Sequence, residues 1–200
     1  MSAILNLIFT VIFAMSIHTN TTDATQVDPQ QVADECMNGI KTMQEETLDR
    51  YAGNTYVNFM VNLEGEDETV ERMQKALLSN FDYKIEKVLT RDDLAVAKIT
   101  ISQCDFSKVL KKYKSKSYDY VTDHLYDENI TDKDWLNDKC LDIYVSQIEK
   151  VAKAGKTHEE TIYLPLTSDG YNGWNAVLDD ENMKTIIGDL SIPEYREEKE

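Results

Sequence analysis

The chain has 200 residues, of which 42% are hydrophobic and 11 are tyrosine, which is enough apolar material for a packed core. Its 37 acidic and 21 basic residues give a formal net charge of −16. This charge repels phosphate backbones, so nucleic acid is excluded as an expected partner.

The first segment, residues 3–17, is a dense apolar run followed by a polar stretch up to residue 26. Its length is typical of a signal-peptide core and falls short of the roughly 20 apolar residues that cross a bilayer. No basic residue precedes Lys41. A standard signal carries positive charge before its apolar core, so either the amino terminus supplies that charge or a basic piece lies upstream.

We therefore expect residues 1–26 to be a signal peptide or an N-terminal membrane anchor, with a buried core helix as the alternative. The protein is then extracytoplasmic, either secreted or membrane-associated at the cell envelope. Contact with the membrane is expected only through residues 3–17, if they are not cleaved.

Two amphipathic helices are predicted after the leader. Asp28 is a suitable cap for the first, which starts at Pro29 and ends near Gly53. Apolar residues recur in it at intervals of three and four. The second helix is predicted over residues 69–78, with acidic residues at its start.

Alternating apolar and polar residues predict two β-hairpins. The first joins residues 81–88 to 94–104 across a turn at 90–93, and the second joins 158–166 to 171–178 across 168–170. A helix capped by Asp105, a helix over 118–126 and a helix over 134–154 lie between them. Asp132 or Thr131 caps the last of these, and Gly155 ends it.

A short helix over residues 180–187 precedes a charged C-terminal tail, residues 191–200. No repeat or low-complexity linker interrupts residues 27–190, so they are predicted to form a single α+β domain.

Three stretches carry a resemblance to a known family: residues 81–85, residues 93–110, and residues 161–166 together with Gly173 and Trp174. In these stretches and in element order, the chain resembles the NTF2-like (SnoaL-like, cystatin-like cone) superfamily. It is similar in particular to exported bacterial proteins with domain-of-unknown-function 4878 or 5105 modules. The resemblance covers roughly residues 45–178 and implies a curved antiparallel sheet wrapped around a long N-terminal helix, with inserted helices in the middle of the chain.

The resemblance also implies a ligand pocket inside the cone. The candidate pocket residues are Tyr51, Tyr83, Ile99, Ile101, Tyr163 and Trp174. Relatives usually bear a lipid-modified cysteine just after the signal core, and this chain has none at that place.

The sequence carries none of the common catalytic motifs. The chain has no nucleophile elbow, Walker loop, dinucleotide-binding glycine turn or zinc-binding His-Glu pair. Ketosteroid-isomerase-type relatives use a tyrosine and carboxylates, roles for which Tyr56, Tyr83 and Asp105 are the candidates. Packing and helix capping are the simpler interpretation of all three, so no catalytic residue and no cofactor are predicted.

Two oxygen-rich stretches and three cysteines are the residues that could bind a cation. Residues 127–134 and 168–172 superficially suggest calcium but match a helix entry and a hairpin turn better. Cys36, Cys104 and Cys140 form no C-x-x-C pair, and we predict no metal. Either one disulfide and one thiol, or three thiols, are consistent with their spacing.

Two surface features remain as candidates for contact with a partner. Several aromatic residues gather in the middle of the chain, where core packing is the alternative to an exposed binding surface. Residues 108–116 hold five lysines in nine positions, which suits either a membrane or cell-wall anion or a solvated helix face.

These observations predict an exported, non-enzymatic binding or interaction module that holds a small apolar ligand or an envelope protein. The alternatives are a SnoaL-like enzyme with acid/base chemistry in the cone pocket and a structural subunit of an envelope complex. The oligomeric state is left open.

Overall fold

The computed structural model describes residues 27–168, 170 and 173–193. Over these residues the chain forms seven α-helices and four β-strands, which confirms the α+β class. The predicted leader, residues 1–26, and the end of the predicted tail, residues 194–200, lie outside the described residues.

The helices are α1 (Pro29–Lys41), α2 (Glu45–Arg50), α3 (Thr55–Val61), α4 (Asp67–Leu78), α5 (Val109–Asp123), α6 (Lys133–Ala154) and α7 (Asp180–Ile186). The strands are β1 (Asp82–Arg91), β2 (Leu94–Cys104), β3 (Thr157–Ser168) and β4 (Trp174–Ala176).

The predicted single helix over residues 29–53 is wrong, because α1 ends at Lys41 and α2 folds back on it. Met43 between them adopts a left-handed conformation with φ of 54°, which a helix cannot continue. Glycine at position 39 lets α2 pack closely against α1, because a Cβ at that position would overlap the side chain of Thr47. The predicted start is confirmed: Asp28 accepts a 2.9 Å hydrogen bond from the backbone N–H of Gln30.

Helix α3 was not predicted. Its cap is Asn54, whose side-chain oxygen accepts hydrogen bonds from the backbone N–H groups of Tyr56 (3.0 Å) and Val57 (3.2 Å). Val57 and Met60 are fully buried, so the helix is held by packing in addition to its cap. Its C-terminal end supplies part of the candidate site.

The four strands form one antiparallel sheet in the order β1-β2-β3-β4, open at both edges and not closed into a barrel within the described residues. The first predicted hairpin is confirmed, with a tighter turn than predicted because Asp92 is left-handed with φ of 51° and β1 continues to Arg91. The second pairing, β3 with β4, is also confirmed, although β4 is only three residues long. Strands β2 and β3 pair over their whole length, from Leu94 opposite Thr167 to Cys104 opposite Thr157.

Alternation along the strands divides the sheet into two faces. The inner face carries a cross-strand row formed by Ile85, Ile99 and Ile162, which packs under the helices. The outer face carries exposed polar residues such as Lys84 and Thr161, together with the buried pair Leu89 and Val96.

The two helices predicted around residues 106–126 are a single helix, α5, which starts at Val109. Asp105 does not cap it directly; its carboxylate accepts the N–H of Ser107 (2.9 Å) in the turn before the helix. Asp132 caps α6, as predicted, by accepting the N–H groups of Asp134 (3.1 Å) and Trp135 (3.2 Å). Gly155 ends α6 in the left-handed conformation, with φ of 61°.

The core lies between the inner face of the sheet and helices α1, α4, α6 and α7. Gln103 is the least exposed of the buried polar residues described by the structure, at 2%. Its amide donates to the carbonyls of Leu77 and Ile186 at 3.0 Å each, and its oxygen accepts the N–H of Cys104 at 2.7 Å. Gln103 therefore joins β2 to α4 and α7 with all of these groups hydrogen-bonded.

Candidate functional site

An aromatic cleft of about 290 Å³ opens between the end of α3, the helices α5 and α6, and the C-terminal segment after α7. Each of these helices contributes an apolar or aromatic side chain to the lining of the cleft, and the C-terminal segment forms one wall. We call this site the aromatic cleft; its lining consists of Phe59, Leu63, Glu64, Tyr113, Asn137, Cys140, Leu141, Tyr144, Ile192 and Pro193.

Tyr144 organises the aromatic cleft. Its ring meets the rings of Phe59 and Tyr113 edge to face, with centroids 6.4 Å and 5.3 Å away, an arrangement that aromatic rings favour. Its hydroxyl donates a 3.0 Å hydrogen bond to the carbonyl of Ser191. One side chain from the middle of α6 thus fixes two neighbouring rings and the C-terminal wall.

The floor of the aromatic cleft depends on a close approach between Gly65 and Leu141. A Cβ on Gly65 would overlap the end of the Leu141 side chain. Glycine at this position lets the α3–α4 connection lie against α6, so Leu141 can line the cleft.

Burial favours the neutral forms of two groups in the aromatic cleft, Cys140 and Tyr144. Burial raises the pKa of the Cys140 thiol. Burial also raises the pKa of Tyr144, and the neighbouring Tyr113 adds to that shift. A protonated thiol is a poor nucleophile, so the chemistry of the lining is that of an apolar binding surface. Glu64 and Asn137 are its exposed polar members.

A second depression, of about 600 Å³, lies between α1 and β1 and is lined mainly by polar groups. Lys41 forms a 2.7 Å ion pair with Asp82, which lowers the pKa of Asp82. The hydroxyl of Tyr83 donates to a carboxylate oxygen of Asp34 at 2.9 Å, and burial together with that carboxylate raises the pKa of Tyr83. These two pairs hold α1 against the edge strand β1. Each of the four polar side chains has its partner within the pair.

The six predicted pocket residues do not meet in a cavity. Tyr51, Ile99, Ile101 and Trp174 are buried in the packed core, where Tyr51 donates a 3.1 Å hydrogen bond to the carbonyl of Ala176. Tyr83 lines the polar depression beside α1, and Tyr163 is 40% exposed on the outer face of the sheet.

The candidates for acid/base chemistry each have a structural partner. Tyr83 binds Asp34, Asp105 binds the backbone of Ser107, and Tyr56 packs against the core from α3. His124, the residue at the C-terminal cap of α5, stacks on Tyr120 with ring centroids 4.1 Å apart.

Sequence reasoning missed the aromatic cleft. One usable signal was present: Asn54 followed by the apolar-rich residues 55–61 is a capped helix start, and that helix carries Phe59. No comparable signal marks Ile192 and Pro193, which reach the cleft only through the tertiary fold.

The three cysteines are free thiols, with Cys36 and Cys104 buried and Cys140 half-buried. Among the described residues, no cluster of three or more His, Cys, Asp or Glu side chains has the geometry of a metal site. None of the described helices is both long and apolar enough to cross a membrane.

Comparison with known proteins gives one similar solved structure and no family. No family model matches the chain, and no curated protein matches it significantly. The chain is similar to a candidate lipoprotein (ycdA) from Bacillus subtilis subsp. subtilis str. 168, with 15% sequence identity and a TM-score of 0.43. The match covers 79% of this chain and 45% of that protein. The chain thus spans less than half the length of that protein, and a likeness at this level assigns neither family nor function.

Proposed function

We propose that this chain is an exported, non-enzymatic binding module that holds a small apolar ligand in the aromatic cleft. The observation that carries the proposal is the edge-to-face arrangement of Phe59, Tyr113 and Tyr144 around an open, mainly apolar cavity. Concave apolar sites with a few polar groups at the rim are the usual form of small-molecule sites.

The volume of the aromatic cleft defines the size of the ligand. A dry cavity of about 150 Å³ accepts benzene, and ligand pockets commonly start at about 300 Å³. At about 290 Å³, the cleft suits a compact apolar group such as a bicyclic ring or a short branched chain. We take neutral indole as a probe of that size.

A binding role fits this lining better than acid/base catalysis. A general acid and base must both reach the substrate with pKa values near the working pH. In the cleft, burial moves the pKa of Cys140 and of Tyr144 upward, away from neutrality. Turnover of a ligand by the purified chain, abolished by Cys140→Ser or Tyr144→Phe, would instead support the enzymatic alternative.

The test is the affinity for indole, measured by saturation-transfer NMR on the full chain. Asn137→Trp places a large side chain at an exposed position of the cleft lining, and is expected to weaken indole binding at least tenfold. Asn175→Trp is the matched control, because Asn175 is exposed on β4 and does not line the cleft. Equal binding by both variants, or no binding by the unmodified chain, would contradict the proposal.

Export is proposed from the apolar run over residues 3–17. An intact mass of the chain recovered from its host envelope is expected to show either loss of the leader or a full-length chain in the membrane fraction. A full-length chain found only in the soluble cell extract would contradict export.

The relationship to the NTF2-like cone is also a proposal. In its favour, a sequential antiparallel sheet packs α1 against its inner face. Against it stand a first helix of only 13 residues and a predicted pocket filled by core side chains. An experimental structure in which the sheet is flat and α1 does not lie in its concave side would contradict the relationship.

The alternative of a structural envelope subunit has one observation in its favour. On the outer face of the sheet, Leu94, Tyr163 and Val177 are 53%, 40% and 45% exposed. A photo-crosslinking residue at Leu94 should then give a discrete protein adduct in living cells, whereas the same residue at the exposed Asn58 should not. Absence of an adduct at Leu94 would remove this alternative.

A further inference from the structure

Helix α5 carries a concentrated positive charge on a strongly acidic protein. Five of the 21 basic residues fall within nine positions, and all five are exposed. We call them the lysine face: Lys108, Lys111, Lys112, Lys114 and Lys116.

Most of the lysine face is not neutralised. Lys116 lies 3.6 Å from Asp119, a weak exposed pair. Within the part of the chain that the structure describes, no carboxylate lies within ion-pair distance of the other four lysines. Lys108 interacts electrostatically with Asp105, so the charge of Lys111, Lys112 and Lys114 is the part that is available to a partner.

The stability of α5 does not explain the position of these lysines. Helices are stabilised by acidic residues in the first turn and basic residues in the last. Helix α5 has no acidic residue in its first turn and no basic residue in its last, while Asp119 and Asp123 lie towards its C-terminal end. The charge order opposes the helix dipole, and a local rule broken in this way is typical of a functional surface.

Exposed tyrosines accompany the lysines. Tyr118 is 73% exposed and lies four residues after Lys114 and seven after Lys111, which places all three on one side of the helix. Tyr126, three residues beyond the helix, is 96% exposed. Tyrosine has an apolar ring with a polar tip, and it concentrates at membrane–water interfaces.

We propose that the lysine face docks this protein on a bilayer surface rich in anionic phospholipid. Charge complementarity carries the proposal: an ammonium group near an anionic bilayer strengthens binding by about fivefold. Acidic residues on remote surfaces oppose this only weakly, because charges are screened beyond about 8 Å at physiological salt. The acidic surface outside the lysine face then points away from the lipid, and this fixes the orientation of the protein on the bilayer. This inference is independent of ligand binding in the aromatic cleft.

The test is vesicle flotation of the full chain, using phosphatidylcholine vesicles with and without 30% phosphatidylglycerol at physiological salt. The neutral vesicles measure any binding through residues 3–17, which is common to all variants. The test variant replaces Lys111, Lys112 and Lys114 by glutamine. The matched control replaces the exposed Lys75, Lys84 and Lys87, which lie outside α5, by glutamine and removes the same charge.

We expect the unmodified chain to bind the anionic vesicles at least tenfold more tightly than the neutral ones. The test variant should lose this preference and the control should keep it, with unchanged circular dichroism for both. Equal binding to the two kinds of vesicle, or equal losses in test variant and control, would overturn the proposal. Binding of the lysine face to soluble polyphosphate but not to anionic vesicles would also overturn it, in favour of an anionic polymer.

Discussion

The hydroxyl of Tyr144, in the middle of α6, donates a hydrogen bond to the backbone carbonyl of Ser191 at 3.0 Å. This contact joins two segments that lie 47 residues apart, and it places Ile192 and Pro193 against the aromatic rings. This hydrogen bond therefore helps to hold the C-terminal wall of the aromatic cleft against α6.

Tyr144→Phe keeps the ring contacts and removes this hydrogen bond. We expect the free energy of unfolding to fall by about 1 kcal/mol, and the backbone amides of Ser191 and Ile192 to exchange faster with solvent. The affinity of this variant for indole should also fall, because the C-terminal wall of the cleft is no longer fixed by the hydrogen bond. Urea unfolding and hydrogen exchange measure the two effects. Unchanged exchange at Ser191 and Ile192 would show that the C-terminal wall is held by other contacts.

Gly39→Ala should destabilise the protein although it lies in a helix. Replacing an exposed helical glycine by alanine normally stabilises by about 1 kcal/mol. At Gly39, the new methyl group would overlap the body of the Thr47 side chain, so we expect a loss of about 1–3 kcal/mol. Gly53→Ala is the control, since nothing lies within 4 Å of its Cβ position. Chemical denaturation compares them, and a stabilised Gly39→Ala variant would contradict the packing of α2 on α1.

Gln103→Leu tests the polar junction inside the core. The substitution preserves volume approximately but leaves the carbonyls of Leu77 and Ile186 and the N–H of Cys104 without their partner. We expect a loss of about 3 kcal/mol in the free energy of unfolding. Gln30→Leu, at an exposed position of α1, should change it by less than about 0.5 kcal/mol. Similar values for the two variants would contradict the buried role of Gln103.

Arg72 joins α4 to α6 and makes stability depend on pH. Its guanidinium contacts Glu149 through two hydrogen bonds, at 2.9 Å and 2.8 Å, and Asp142 through one at 2.8 Å. The hydrogen bonds to Arg72 lower the pKa of Glu149 below its ordinary value. A carboxyl whose pKa is lower in the folded state stabilises the fold above its ordinary pKa, and that contribution disappears as the pH falls through the folded-state value.

Arg72→Met should therefore lower the free energy of unfolding by about 1 kcal/mol at pH 7, a modest value because all three side chains are partly exposed. The difference between the variant and the unmodified chain should shrink towards pH 3. Denaturation at both pH values measures it. A difference that is constant or grows in acid would show that Glu149 is not the group involved.

Local signals were sufficient for much of the fold. The caps at Asp28 and Asp132 and the left-handed Gly155 each depend on neighbours within a few residues, and the structure confirms all three. The cross-strand pairing of β1 with β2 follows from alternation and a short turn. These features were predictable because the physical cause lies inside the segment itself.

The remaining features depend on contacts between distant segments. The break after Lys41 requires the fit of Gly39 against Thr47, and the aromatic cleft requires Tyr144 to meet Ser191. Neither contact leaves a periodic pattern in the sequence. Ile99 and Ile101, predicted to line a pocket, are buried in the core. Apolar residues on the inner face of a sheet look the same in sequence whether they line a cavity or fill a core.

The central claim is that a compact apolar ligand binds in the aromatic cleft. Its most direct test is a titration of the isotope-labelled full chain with indole, followed by NMR chemical shifts. We predict saturable shifts at Phe59, Leu63, Tyr113 and Tyr144, with little change at Leu94 and Tyr163 on the outer face of the sheet. Shifts centred on the sheet face, or no saturable shift at any residue, would contradict it.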